Sequence, residues 1–287
     1  MLAVAYILTA VALFSVLDAT VKSLGGRIPL AEVILFRSVF AFIPLSVAVW
    51  AAGGLPALAT TRPGYHVLRG LLGLVAMATF FGALPYMRLA DVVAISFSGP
   101  LFIALLAGSV LGESIGRDRW AAIVTGFGGV LLIVRPGTSA FQTVSLLPLV
   151  GALAYSFIML LVRRLGAREG LIATSVYFTA VAAVVSAAVT PLVWTTPTRG
   201  EWIRLVLAGL AGGGANLCLT QAFRLGPVGL LAPFEYTSLL WGLALGYAFW
   251  GEVPDVPMLV GAAIIVASGL TVLPRTEWAR MRPRPRT

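Results

Sequence analysis

Leu2 to Leu24 reads LAVAYILTAVALFSVLDATVKSL, and this stretch decides the class of fold. A helix needs roughly 20 predominantly apolar residues to cross the hydrocarbon core of a bilayer, and here Asp18 is the first charged side chain. No basic segment precedes the run and no small-residue cleavage site follows it, so it is expected to remain as a helix, not to leave as a signal peptide. Strands of a membrane barrel would alternate polar with apolar residues, and this run does not.

The same ruler carried outward gives ten segments: Leu2 to Leu24, Leu30 to Ala52, His66 to Tyr86, Ala90 to Gly112, Arg119 to Arg135, Ser145 to Val162, Leu171 to Val193, Trp202 to Arg224, Val228 to Trp250 and Pro257 to Pro274. The fold expected is an all-α integral membrane bundle of ten transmembrane helices joined by short loops. Composition agrees, since 59% of the 287 residues are hydrophobic and 11% charged, where soluble domains average about 25% charged. Cys218 and His66 are the only residues of their kinds, so no disulfide, metal site or cofactor is expected.

The net charge of +9 does not point to nucleic acid. Basic residues sit at helix ends and in the Arg-rich tail, with no aromatic-studded stripe, so membrane lipid is the partner they suit. With the N-terminus inside, 13 basic residues face the cytoplasm, Arg62, Arg69, Arg117 and Arg224 among them; 6 face out and Arg37 lies within a helix. Both termini are therefore expected to be cytoplasmic, in an inner or plasma membrane.

The second half echoes the first. At an offset of 141 residues, Phe14-Ser15 and Val21-Lys22-Ser23-Leu24-Gly25 fall on Tyr155-Ser156 and Val162-Arg163-Arg164-Leu165-Gly166. Leu111-Gly112-Glu113 likewise matches Trp250-Gly251-Glu252. Five helices is an odd number, so the second copy inserts upside down, giving an inverted repeat. Residues 1–136 and 145–274 are the two expected repeats, and 275–287 a disordered basic tail.

Enzyme signals fail on context. Gly112-Glu113-Ser114-Ile115-Gly116 matches the G-x-S-x-G pattern, but it joins two apolar helices and His66 precedes it. Gly212-Gly213-Gly214 falls inside a helix and cannot cradle a phosphate.

Ionisable groups within apolar segments carry the functional reading, because a charge at membrane depth costs roughly 2.5–3.5 kcal/mol and usually faces a pathway. Asp18 is one; its alternative is a structural pair with Lys22, four residues on. Glu32 lies near the outer end of the second helix, where water can reach it. Arg37 is deeper, suited to a carboxylate or phosphate or else to linking helices. Glu235, about 10 Å into the ninth helix and two residues after Pro233, is the leading solute and proton-coupling candidate, ahead of Asp18 and Glu32. Asn216, Gln221 and Ser96 supply polar neutral groups, and Tyr155, Tyr236 and Trp241 supply aromatic walls; interhelical bonding and packing are the plainer roles for each. Gly108/Gly112, Gly209/Gly213 and Gly242/Gly246 are G-x-x-x-G pairs suited to internal packing or a homodimer seam.

Phe36-Arg37-Ser38, Leu89-Ala90-Asp91, Gly126 to Pro136, Pro233-Phe234-Glu235-Tyr236 and Gly251-Glu252-Val253-Pro254-Asp255, with Gly261 and Gly269, together carry a resemblance. On these stretches the chain resembles the EamA branch of the drug/metabolite transporter superfamily over nearly its whole length. The resemblance implies secondary transport of a small polar solute. Similar families move amino acids, S-adenosylmethionine, riboflavin, sugars and opine-type metallophores. Interior groups of both signs suit a zwitterionic, amino-acid-like solute, with export the leading expectation and uptake of riboflavin or S-adenosylmethionine the alternative. A channel would show a continuous polar stripe, and a scaffold would show extramembrane loops; neither pattern is present.

Overall fold

The computed structural model describes residues 1–111, 116–139, 141–165 and 170–272, and among these there is no strand. Twelve α-helices follow one another: α1 (Leu2–Ser23), α2 (Leu30–Ala51), α3 (Pro63–Ala83), α4 (Leu89–Ser96), α5 (Gly99–Leu111), α6 (Arg117–Val134), α7 (Leu146–Leu165), α8 (Leu171–Val193), α9 (Arg199–Leu225), α10 (Val228–Glu235), α11 (Thr237–Trp250) and α12 (Val256–Val272). Seven helical tracts are long and apolar enough to cross a membrane, one of them running from Leu89 to Ala107 through the break between α4 and α5. The outward faces carry large apolar side chains, Leu192, Phe249 and Val124 being more than 60% exposed. Lipid solvates such a surface and water does not.

Two expected spans are broken instead of continuous. The fourth stops at Ser96 and resumes at Gly99, because Pro100 has no N–H to donate back to Ser96. Phe97 and Ser98 bridge the gap with tightened bonds to the carbonyls of Ala94 and Ile95. The ninth breaks at Tyr236, just after Pro233 has removed a ladder bond from the last turn of α10. Two helices also begin three residues earlier than expected. Pro63 occupies the first turn of α3, where its missing N–H costs nothing. A capping box of Thr198 and Glu201 starts α9 at Arg199, not Trp202. The serine motif at 112–115, Arg168 and the tail from 275 lie outside the described residues, and so does Gly112 of the Gly108/Gly112 pair.

Glycines set how closely the helices approach. A Cβ on Gly213 would lie 2.7 Å from the Ala41 carbonyl oxygen, and one on Gly209 2.9 Å from that of Arg37, so α2 beds directly on α9. On the other side α3 meets α8, with Gly70 against Val181 and Gly73 against Phe178. The helices α6 and α12 cross antiparallel, each of Gly129 and Gly261 facing the other's carbonyl oxygen. Gly242 packs on Ala90 of α4, and Gly246 leaves room for the Glu252 carboxylate. We expect Gly213→Ala to lower stability by about 1–3 kcal/mol through overpacking. Gly214→Ala, whose Cβ would sit 3.5 Å from Leu13, serves as the neutral control in detergent thermal unfolding.

One end of the bundle is stitched by charge. Lys22 at the C-terminus of α1 is buried; its Nζ lies 2.8 Å from Glu252 Oε1 and donates to the carbonyls of Leu84 and Met87. Glu252 Oε2 accepts the backbone N–H of Leu89 at the start of α4. Arg88 bridges Asp91 and Asp255, and Arg135 reaches Asp255 at 2.6 Å. Arg27 forks onto Glu201, and Arg204 donates to the Ser23 carbonyl. The Arg135 hydrogen bond holds the Asp255 carboxyl well below the usual carboxylate range. Its stabilising share is therefore present at neutral pH and is lost only as the pH falls through that depressed value. A cleft of about 330 Å³ lies over this end, lined by Tyr86, Arg88, Arg135, Gln142 and Asp255 among others.

Candidate functional site

Two clusters of ionisable side chains, each with a basic and an acidic member, lie within the bundle. The first lies roughly 10 Å below the stitched end, counting residues at 1.5 Å each. Arg37 of α2 is 3% exposed, with its guanidinium 5.8 Å above the Phe178 ring of α8. It fits because Gly212 of α9 has no side chain: a Cβ there would lie 3.0 Å from Arg37 Nε. Asp18 of α1 is the carboxyl group within electrostatic reach of Arg37. Nε and Nη1 of Arg37 are buried without a hydrogen-bond partner. A buried guanidinium left short of acceptors is costly, which is what a site awaiting an anion presents.

Asp18 does not form the ion pair with Lys22 that their spacing allowed, because Lys22 turns to Glu252 and two carbonyls. Glu32, expected near water, is fully buried. Its Oε2 accepts the Thr195 backbone N–H at 3.1 Å, tying α2 to the segment between α8 and α9, while Oε1 has no partner.

The second cluster lies at the other side of mid-depth. Glu235 ends α10 at the break, and Tyr155 of α7 is within electrostatic reach of it. The Tyr155 ring rests on Gly99 at the start of α5, where a Cβ would be 3.4 Å from Cδ1. Phe97 in one helix break and Tyr236 in the other are in ring contact, centroids 4.6 Å apart and planes tilted by 39°, so the two interrupted spans meet here. Arg69 of α3 is the cation of this cluster, in reach of Tyr155. Arg69, expected among the cytoplasmic surface charges, lies deeper than that. Starting α3 at Pro63 instead of His66 carries Arg69 about 9 Å into the helix, and that early proline was the available signal.

The remaining candidates stand apart from these clusters or are occupied locally. Ser96 Oγ donates to the Val92 carbonyl and Asn216 Nδ2 to the Gly212 carbonyl, each within its own helix. That second bond places Asn216 one turn beyond the glycine that houses Arg37. Gln221 is half-buried on α9 and Trp241 is 41% exposed on α11; no described contact joins either to the clusters.

Comparison with known proteins places this arrangement. An S-adenosylmethionine uptake transporter of Rickettsia prowazekii is 31% identical over 90% of this chain and 88% of its own. The pseudopaline exporter of Pseudomonas aeruginosa is 29% identical over 92% and 93%. A riboflavin transporter of Vibrio cholerae is 26% identical over 97% and 94%. A solved crystal structure covering 94% of this chain and 97% of its own superposes with a TM-score of 0.65 at 23% identity, a likeness of fold. The model of the EamA-like transporter family matches residues 1–135 and again 142–273. With the sequence matched twice over and interior charges set in a lipid-facing bundle, this chain is a membrane transporter and not an enzyme, and it belongs to the EamA-like transporter family.

Proposed function

We propose that the protein carries a small zwitterionic, amino-acid-like solute across the inner membrane by alternating access between two inverted five-helix repeats. The carrying observation is the pair of clusters, each offering a basic and an acidic side chain: Asp18 within electrostatic reach of Arg37, and Glu235 and Arg69 each within reach of Tyr155. An amino-acid head presents an ammonium and a carboxylate at fixed spacing, and each cluster offers both complements. Aromatic rings at Phe178, Tyr155 and Tyr236 suit an apolar or planar remainder.

The helix pairs support the repeat. Arg37 sits at Gly212 as Phe178 sits at Gly73, and Arg37 and Phe178 are 141 residues apart, the offset at which the two halves echo. Phe97 and Tyr236, one in each broken span, also meet each other. Repeat partners in direct contact are what a pseudo-two-fold axis near mid-depth would produce. In this reading the stitched end is periplasmic and both termini are cytoplasmic, as the basic residues favour. Protonation of Glu235, with Asp18 and Glu32 behind it, couples transport to the proton gradient.

Direction divides two readings. The first is export of an opine-type metallophore, supported by the relative that is a pseudopaline exporter. The second is uptake of S-adenosylmethionine, supported by the relatives at 31–32% identity that are named for it. Both solutes carry an amino-acid head. Riboflavin, neutral over most of its surface, makes less use of the charged clusters.

Proteoliposomes holding the purified protein test the class directly. Radiolabelled S-adenosylmethionine is expected to exchange across the membrane, and excess unlabelled zwitterion to compete with it while unlabelled riboflavin does not. Competition by riboflavin alone would overturn the amino-acid reading.

A further inference from the structure

Among the described residues, Arg69 is the one interior cation that neither the sequence pattern nor the stitched end accounts for. Its Nε is buried without a hydrogen-bond partner. It lies on α3, about 9 Å from the helix start, and Glu235 lies about 10 Å from the start of α10, counted at 1.5 Å per residue. Both helices start from the end of the bundle opposite the stitched one, so the two charges stand at similar depth. Tyr155 of α7, 43% exposed, is in electrostatic reach of both. The crossing of α3 and α7 is close, since a Cβ on Gly151 would lie 3.2 Å from the Ala76 carbonyl oxygen and one on Gly73 3.8 Å from Ile158. Gly73 is one turn from Arg69, and Ile158 one turn from Tyr155, so the faces that carry these two side chains are the faces that meet.

We propose that Arg69 is the carboxylate-binding residue of the solute site, opposite Glu235, which takes the ammonium group, with the Tyr155 hydroxyl between the two. This rests on the amino-acid reading given above. A guanidinium short of acceptors binds a carboxylate through two parallel N–H donors, whereas a lysine offers only a point charge. The spacing of Arg69 and Glu235 across one tyrosine thus selects solutes carrying both charges and disfavours a cation alone.

The test uses two probes that differ only in the carboxylate: S-adenosylmethionine and its decarboxylated form. In proteoliposomes the wild-type protein is expected to take up the first about ten- to a hundredfold better, the usual range for a hydrogen-bonded charged contact. Arg69→Gln is expected to reduce that preference to near unity while still moving the decarboxylated probe, and a misfolded variant would move neither. Arg69→Lys, which keeps the charge but not the fork, is expected to retain part of the preference and guards against a folding defect in the glutamine variant. An unchanged preference in Arg69→Gln overturns this inference and leaves the transport reading standing. Wild-type protein that moves neither probe, or whose uptake no zwitterion competes with, overturns the amino-acid reading and this inference with it.

Discussion

Glu235→Gln is expected to slow transport by about ten- to a hundredfold and to flatten its dependence on pH. The size follows from losing one charged hydrogen-bonded contact to the solute. The flattening follows from removing the one interior carboxyl that sits at a helix break, beside Tyr155 and Tyr236. Asp255 at the stitched end does not supply a pH response near neutrality, because its carboxyl titrates far below it. Initial rates in proteoliposomes from about pH 5.5 to about pH 8 check this. A glutamine variant with the wild-type rate and the wild-type pH profile would remove Glu235 from both solute binding and proton coupling.

The second large effect is expected at the stitched end. Glu252→Ala leaves the Lys22 ammonium buried with only two carbonyl partners, and it takes away the acceptor of the Leu89 N–H at the head of α4. Removing one member of a buried pair costs about 3–5 kcal/mol, and the partial exposure of Glu252 at the rim puts this case at the low end. The double substitution Lys22→Met with Glu252→Leu removes both charges and is expected to recover most of the loss. Thermal unfolding in detergent reads both variants. Equal stability of Glu252→Ala and wild type would mean that the contact holds nothing together.

Much of this was legible before any coordinates. Apolar length alone gave most helices to within a few residues, Leu171–Val193 without any difference. It failed where proline and capping chemistry act. Pro100 and Pro233 turned two expected spans into broken pairs, and Pro63 and the Thr198–Glu201 box moved two helix starts outward. For the site, Glu235, Arg37 and Asp18 stood out because charge is expensive in lipid. Arg69 did not, because a three-residue error in the start of α3 was enough to leave it at the surface.

The sequence by itself determined the solvent: no water-soluble packing can hide this apolar surface, so the chain is a membrane protein whatever its helices touch. It also singled out several of the ionisable side chains at depth, Arg37, Asp18 and Glu235, though not Arg69 or Glu32. Their partners were decided only by tertiary structure. Asp18 and Lys22 are one turn apart on α1, yet Lys22 reaches Glu252, 230 residues on, while Asp18 faces Arg37 on the next helix. Helical spacing fixes only which residues share a face. What that face meets depends on where glycines let other helices approach, and Gly212 beside Arg37 is the residue at which that choice was made.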